Sequence, residues 1–95
     1  MAAYIYVDLE VTDPVAYEDY RKRVPRLIEA HGGRYLVRGG AAEVLEGESM
    51  PKRRVILEFP DMVRLKAFYD SADYRPLKLL RQRASRGTVV AIEGV

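Results

Sequence analysis

Cysteine and tryptophan are absent from this chain of 95 residues, and histidine occurs only once. Without cysteine the protein has neither disulfides nor thiolate metal ligands. A single histidine excludes a multi-histidine metal site within one chain. No glycine-rich stretch matches the dinucleotide-binding or P-loop pattern. We therefore expect neither a metal nor a cofactor.

Long hydrophobic runs are also missing, since no apolar stretch approaches the roughly 20 residues that a membrane helix needs. The N-terminal residues, Met1 to Tyr4, lack the basic region of a signal peptide. We expect a cytoplasmic protein that has no membrane partner. The net charge is only +2, and the arginines and lysines are scattered among acidic residues, so we also expect no nucleic-acid partner.

Four stretches of the sequence have strand character. Alternating, β-branched and aromatic residues predict four strands, at residues 3–11, 34–38, 53–59 and 88–92. The first and last strands are apolar on both faces, which indicates that both faces are covered. The chain length fits one domain over residues 1–95.

Helical periodicity fills the intervals between these strands. A first helix is predicted between Asp13, a suitable N-cap, and Gly32, a suitable C-terminal glycine. Two shorter helices follow the third strand, and Asp61 and Asp73 are the expected residues at their N-caps.

The region after Gly39-Gly40 allows two interpretations. Either the second strand bulges and resumes at residues 42–46, or a tight glycine turn makes a small hairpin. A polar loop is expected over residues 47–51.

The predicted order is strand, helix, strand, strand, helix pair, strand, which is the ferredoxin-like βαββαβ arrangement. This α+β fold has a four-stranded antiparallel sheet with all helices on one face. One monomer cannot cover the second face of such a sheet. We therefore expect a homodimer in which two sheets pack together.

Several stretches of the chain resemble, in the same order, the domain of unknown function 1330 family; they are residues 32–40, 43–47, 55–60, 67–71 with Tyr74, and 80–84. That family is similar to the dimeric α+β barrels, which include cofactor-free monooxygenases, haem-degrading enzymes, lactone isomerases and stress-response proteins. The resemblance implies a homodimer with a cavity between the sheet and the helices. It implies no particular reaction.

Arg38 and Glu58 are the first candidate ligand-binding residues. Arg34, Leu36 and Arg38 are expected on one face of the second strand, and Glu58 on the facing strand. The two charges then form either a structural ion pair or a cavity arginine oriented by Glu58 to bind a carboxylate or phosphate. Glu58 is also a possible general base if burial raises its pKa.

Tyr6, Tyr69 and His31 complete the candidate ligand-binding set. The chain has seven tyrosines, and aromatic residues at strand or helix spacing are usually core. A buried tyrosine nevertheless needs a partner for its hydroxyl, so several of them around one cavity make an amphipathic pocket. His31 closes the first helix, where helix-end packing is the alternative to a functional role.

Two functions of different classes follow. The protein either binds or processes a small organic molecule, aromatic or carboxylate-bearing, in its cavity, or it is a non-enzymatic regulatory or structural dimer whose cavity is filled by its own side chains. A cofactor-free monooxygenase-like enzyme is a further alternative. No residue pattern identifies a catalytic group.

Overall fold

Seven elements make up the fold in the computed structural model, which describes residues 1–48 and 52–95. In chain order they are β1 (Ala3–Val11), α1 (Pro14–Ala30), β2 (Arg34–Arg38), β3 (Arg53–Phe59), α2 (Met62–Tyr69), α3 (Tyr74–Ala84) and β4 (Ser85–Glu93). Within the described ranges, no helix has the length and apolar character needed to cross a membrane.

The four strands form one antiparallel sheet in the order β2-β3-β1-β4. The central strand β1 pairs on both edges, with Ile5 opposite Leu57 of β3 and Ala91 of β4. This is the strand order of the ferredoxin-like arrangement, and the α+β fold predicted from the sequence is confirmed.

One face of the sheet is buried by the helices. Alternate residues of β1 and β3 lie in the core, and they are Ala3, Ile5, Val7, Leu9, Val55, Leu57 and Phe59. Apolar stripes of the helices pack against them, including Ile28 of α1 and Phe68 of α2. None of the helices in the described ranges packs on the other face of the sheet, and Val90 and Ile92 of β4 remain 43% and 48% exposed there.

The first helix begins and ends where the sequence predicts. The Asp13 carboxylate accepts a hydrogen bond from the Ala16 N–H at 3.1 Å, which caps the helix. At the other end the Gly33 N–H donates to the Ile28 carbonyl at 2.9 Å, and the Gly32 N–H donates to the Glu29 carbonyl at 2.9 Å. This Schellman motif requires a left-handed residue, and Gly32 has φ 81°.

The caps of the two shorter helices differ from each other. Asp61 accepts from the Arg64 N–H at 2.8 Å, as predicted. Asp73 stands at the N-cap position of α3, as predicted, but its backbone is already helical and its side chain makes no capping bond. The hydroxyl of Ser71 accepts from the Tyr74 N–H at 3.1 Å in its place.

Residues 42–46 form no strand, so neither a resumed second strand nor a small hairpin is found there. Sheet pairing at this edge ends where the Gly39 N–H donates to the Arg54 carbonyl at 2.8 Å. Gly39 has φ 67°, a left-handed conformation that turns the chain away from β3. The loop expected over residues 47–51 lies partly outside the described residues.

Gly33 lies where the end of α1 meets the core, and we expect it to tolerate no side chain. A Cβ atom there would stand 2.6 Å from Phe59 Cε1 and 2.8 Å from Ile28 Cγ2. Gly33→Ala should lower the free energy of unfolding by roughly 1–3 kcal/mol through overpacking. Gly40→Ala is the control, since nothing lies within 4 Å of that position. Urea denaturation of both variants tests this, and equal stabilities would contradict it.

Candidate functional site

A β-bulge at Leu36 decides which residues of β2 face the helices. Tyr35 pairs with Leu57, but the next pairs are Val37 with Ile56 and Arg38 with Val55, so one residue of β2 is extra. Side chains alternate between faces, and one extra residue therefore reverses every later side chain. Arg38 lies on the helix side with Tyr35, and the prediction that it shares a face with Arg34 is wrong.

Glu58 consequently pairs with a different arginine on the open face of the sheet. Arg34 Nε lies 2.8 Å from Glu58 Oε1, and the predicted Arg38–Glu58 pair does not form. Tyr4 is the cross-strand neighbour of Glu58. A hydrogen bond from its hydroxyl to the Glu58 carboxylate raises the pKa of Tyr4. Glu58 therefore belongs to a polar cluster outside the space between sheet and helices.

Tyr6 and His31 also lie away from that space. Tyr6 is on the open face of the sheet, where its neighbours across the strands are Ile56 and Val90. His31 closes α1, and its Nδ1 lies 3.0 Å from the Leu27 carbonyl oxygen. Of the five candidate residues, the structure brings together only Arg38 and Tyr69, which line one cavity.

This cavity lies between the sheet and the helices and has a volume of about 40 Å³. Its sheet wall is mostly apolar and includes Ile5, Val7 and Leu57, whereas tyrosines from α1, α2 and α3 line its helix wall. A volume of this size holds about three water molecules. The expected cavity between sheet and helices thus exists, and it is small.

Four arginines line the cavity, namely Arg21, Arg38, Arg53 and Arg81, and no acidic residue is among its described lining residues. Arg21 is neutralised from outside, because Glu18 accepts from its Nε at 2.8 Å and from its Nη2 at 2.6 Å. The other three have no carboxylate at ion-pair distance within residues 1–48 and 52–95. The cavity wall therefore carries uncompensated positive charge.

Tyrosines hold two of these arginines in place. Arg38 donates from Nη2 to the Arg21 carbonyl at 2.7 Å, and its Cζ lies 4.5 Å from the centroid of the Tyr35 ring. Arg53 donates from Nε to the Tyr17 hydroxyl at 3.2 Å, with its Cζ 5.4 Å from that ring centroid. Such cation–π contacts orient a guanidinium without neutralising it.

Gly39 provides the space that the Arg53 guanidinium occupies. A Cβ atom at this position would collide with Arg53 Nη1. The glycine predicted only as a backbone device therefore also positions a charged group of the cavity.

The third arginine, Arg81, is the most deeply buried, with 6% of its surface exposed. Beside it the hydroxyls of Tyr20 and Tyr74 are hydrogen-bonded to each other at 2.8 Å. Burial, reinforced by the neighbouring Tyr74, raises the pKa of Tyr20 well above its usual value. The tyrosine therefore remains a neutral hydroxyl throughout the physiological range of pH.

The sequence also carries a signal for Arg81, which is not among the predicted site residues. Arg81 follows the buried Leu77 by four residues and therefore lies on the apolar stripe of α3. A charged residue at a buried position of an amphipathic helix is unusual. No local pattern indicated that Arg53 lines the cavity, because its position depends on contacts with Tyr17 and Gly39, which are distant in sequence.

Tyr69, the second candidate found at the cavity, lies near the end of α2. Its ring centroid is 5.7 Å from that of Tyr74, and the Lys78 ammonium lies 4.3 Å from the centroid of the Tyr69 ring as a cation–π partner. Tyr69 is half-buried and contributes an aromatic wall to the cavity. Within the described ranges, no group of three or more histidines and acidic residues could hold a metal ion.

Comparisons with known proteins agree with this fold. The crystal structure of RPA0582, a protein of unknown function from Rhodopseudomonas palustris, has a TM-score of 0.76 and 17% identity, and covers 99% of this chain and 82% of that one. The crystal structure of methylated RPA0582 has a TM-score of 0.75 and 17% identity, and covers 99% of this chain and 80% of that one. At this identity the likeness shows the fold alone. A family model described as a domain of unknown function, DUF1330, matches residues 2–95. No functionally curated protein matches.

The buried tyrosine predicts how stability depends on pH. Burial raises the pKa of Tyr20 in the folded state, while in the unfolded chain tyrosine ionises near pH 10. Above about pH 10 the unfolded state therefore loses a proton that the folded state keeps, and the free energy of unfolding falls as pH rises. Below that pH the contribution of Tyr20 is fully present.

Urea denaturation between pH 8 and pH 11 measures this effect. In Tyr20→Phe the decline above about pH 10 should be shallower, because one ionising group is removed from the unfolded state. The variant also loses the hydrogen bond to Tyr74, which lowers stability by about 1 kcal/mol at every pH. An identical decline in both proteins would show that Tyr20 is not the responsible group.

Proposed function

We propose that this protein, which belongs to the DUF1330 family, is a homodimer that binds a small organic anion in the cavity between its sheet and its helices. The observation that carries the proposal is the set of three cavity arginines, Arg38, Arg53 and Arg81, with no carboxylate partner in the described part of the chain. An anionic ligand would provide the missing negative charge.

The chemistry of the cavity wall supports an organic acid rather than a neutral molecule. Guanidinium groups present several N–H donors in a planar fork that matches a carboxylate. The tyrosine hydroxyls add neutral donors, and the apolar side chains of the sheet wall suit a hydrocarbon body. Small-molecule sites in proteins commonly combine an apolar lining with a few convergent polar groups.

The open face of the sheet supports the homodimer. Val37, Val90 and Ile92 are 37%, 43% and 48% exposed on this face, beside half-buried Tyr4 and Tyr6. Apolar surface left in water forgoes about 25 cal/mol for each Å² that burial would remove. Because strand side chains alternate, the helices cannot cover this face, and a second copy of the same sheet fits it with twofold symmetry.

A non-enzymatic dimer with a filled interior is the second candidate, and the size of the cavity favours it. The volume of about 40 Å³ is well below the 150 Å³ or so of an engineered apolar cavity that binds benzene. On this alternative the arginines and tyrosines stabilise one another and no ligand enters.

Thermal unfolding with graded carboxylates distinguishes the two candidates. Acetate, propionate and benzoate should be compared with their neutral amides at constant ionic strength. A ligand that binds only the folded state raises the melting temperature by mass action. The proposal expects at least one carboxylate, and none of the amides, to stabilise the protein. A filled interior predicts no shift with either series.

Arg38→Ala tests whether the cavity charge attracts the ligand. Removal of one positive charge near the site should weaken carboxylate binding roughly fivefold, as expected for a screened interaction across several ångströms. Arg23→Ala is the matched control, because Arg23 is exposed and paired with Asp19 at 3.2 Å. Calorimetric titration of both variants gives the dissociation constants. Equal affinities in the two variants would contradict a role for the Arg38 charge.

Sedimentation tests the dimer. At micromolar concentration we expect about twice the chain mass of 10.8 kDa. Val90→Arg places a charge on the open face and should shift the protein toward monomer. Val63→Arg is the control, since Val63 is 79% exposed on α2. A wild-type monomer, or a Val90→Arg dimer as stable as the wild type, would refute this mode of association.

A further inference from the structure

Arg81 stands apart from the other cavity arginines in its environment. It is 6% exposed and projects from the apolar stripe of α3, between Leu77 and Ala84. Arg38 is exposed at the edge strand β2, and Arg53 is half-buried on β3. Because an arginine stays protonated in proteins, Arg81 places a full charge at a site that is largely closed to water.

Such a charge is costly unless it is paired. Burial of an ion is compensated only when an opposite charge and further hydrogen bonds replace the lost water. No acidic side chain in residues 1–48 or 52–95 lies at ion-pair distance from Arg81. The hydroxyl of Tyr74 hydrogen-bonds to its guanidinium, and Tyr20 interacts with it at longer range. The negative partner that would balance the charge is not supplied by this part of the chain.

The hydrogen-bonding inventory of this cluster has more donors than acceptors. A guanidinium carries five N–H donors and no acceptor. Tyr20 and Tyr74 together have two O–H groups, and their mutual bond at 2.8 Å uses one of them. The other O–H remains to donate. The cluster of Arg81, Tyr20 and Tyr74 thus presents several donors to the cavity, and an anion with lone pairs in several directions complements it.

Arg81 and Arg38 line the cavity from different elements. Arg38 lies on the edge strand β2, whereas Arg81 lies on α3 and is close to Val89 of β4, the other edge strand. A substitution at one arginine therefore leaves the other in place, and the two contributions can be measured separately.

We propose that the cluster of Arg81, Tyr20 and Tyr74 is the carboxylate-binding subsite of the cavity, and that its ligand is a short-chain monocarboxylate. This inference rests on the proposed function and specifies it. The guanidinium of Arg81 receives the carboxylate, and the free tyrosine O–H donates to one of its oxygens. The apolar sheet wall contacts the ligand's hydrocarbon part.

The size of the ligand follows from the volume of the cavity. About 40 Å³ corresponds to about three water molecules, so the ligand is no larger than a short-chain acid such as acetate or propionate. An aromatic acid requires more room than this. Arg38 and Arg53 lie at the more exposed side of the cavity, where their positive charges attract the carboxylate without contacting it.

Arg81→Met is the principal test, with propionate as the probe and propionamide as its neutral counterpart. Methionine keeps much of the volume and removes the charge. Since this buried charge has no acidic partner among the described residues, its removal relieves a desolvation penalty, so the ligand-free melting temperature should stay the same or rise. Propionate binding should weaken at least a hundredfold. Arg83→Met, on the exposed side of the same helix, should bind propionate like the wild type.

A second variant tests the same inference if Arg81→Met does not fold. Arg81→Lys keeps the charge but loses the planar fork, and we expect it to bind propionate at least tenfold more weakly. In the wild type, propionate should move the arginine Nε–H NMR resonance that is missing from Arg81→Lys. Propionamide should leave that resonance unchanged.

The outcomes separate this inference from the proposed function. One outcome is that carboxylates stabilise the wild type, Arg38→Ala weakens their binding, and Arg81→Met still binds propionate normally. The proposed Arg81 subsite is then wrong, but the proposal that the cavity binds an anion is retained. If Arg81→Met is much less stable without ligand and the Nε–H resonance does not respond, Arg81 is a structural residue. If no carboxylate stabilises the wild type at all, both proposals fail.

Discussion

The double pairing of β1 is the constraint from which the rest of the structure follows. This strand bonds to β3 on one edge and to β4 on the other, so its side chains can only point to the two faces of the sheet. Ala3, Ile5 and Leu9 point to the helices and are buried almost completely. The intervening side chains point to a face that no helix covers. The closed interior on one side of the sheet and the open, partly apolar surface on the other therefore have one origin.

The closed side is not a purely hydrophobic core. Tyrosines occupy the positions where the helices come nearest the cavity, and each brings a hydroxyl into a region with little water. Tyr20 and Tyr74 satisfy each other, and Tyr17 accepts from Arg53. A tyrosine packs like an aromatic hydrocarbon and still offers a polar atom. Tyrosine hydroxyls can therefore hydrogen-bond to charged groups in the interior of a small domain while the rings fill the space around them. Under the proposed function, the same residues select an anion.

Local backbone features decide which charges reach this interior. The bulge at Leu36 rotates Arg38 from the open face to the helix side, and the missing side chain of Gly39 leaves room for the Arg53 guanidinium. Both lie at the edge strand or directly after it, where an irregularity disrupts few hydrogen bonds. Arg34, which precedes the bulge, stays on the open face and pairs with Glu58. Two arginines of the same strand thus lie on opposite faces of the sheet.

Periodicity and capping residues in the sequence were sufficient to determine the elements of the fold and their order. Alternation along β1 and β3, the cap at Asp13 and the glycine at Gly32 are all local, and each acts through the backbone within a few residues. The composition of the cavity was not predictable in this way. An extra residue in β2 reversed the face of Arg38, and the partner of Glu58 changed with it. The surroundings of Arg81 depend on Tyr20 of α1 and Tyr69 of α2, as well as on Tyr74 of its own helix. Only the tertiary structure decided those contacts, because burial and charge balance are properties of the assembled interior and not of any one segment.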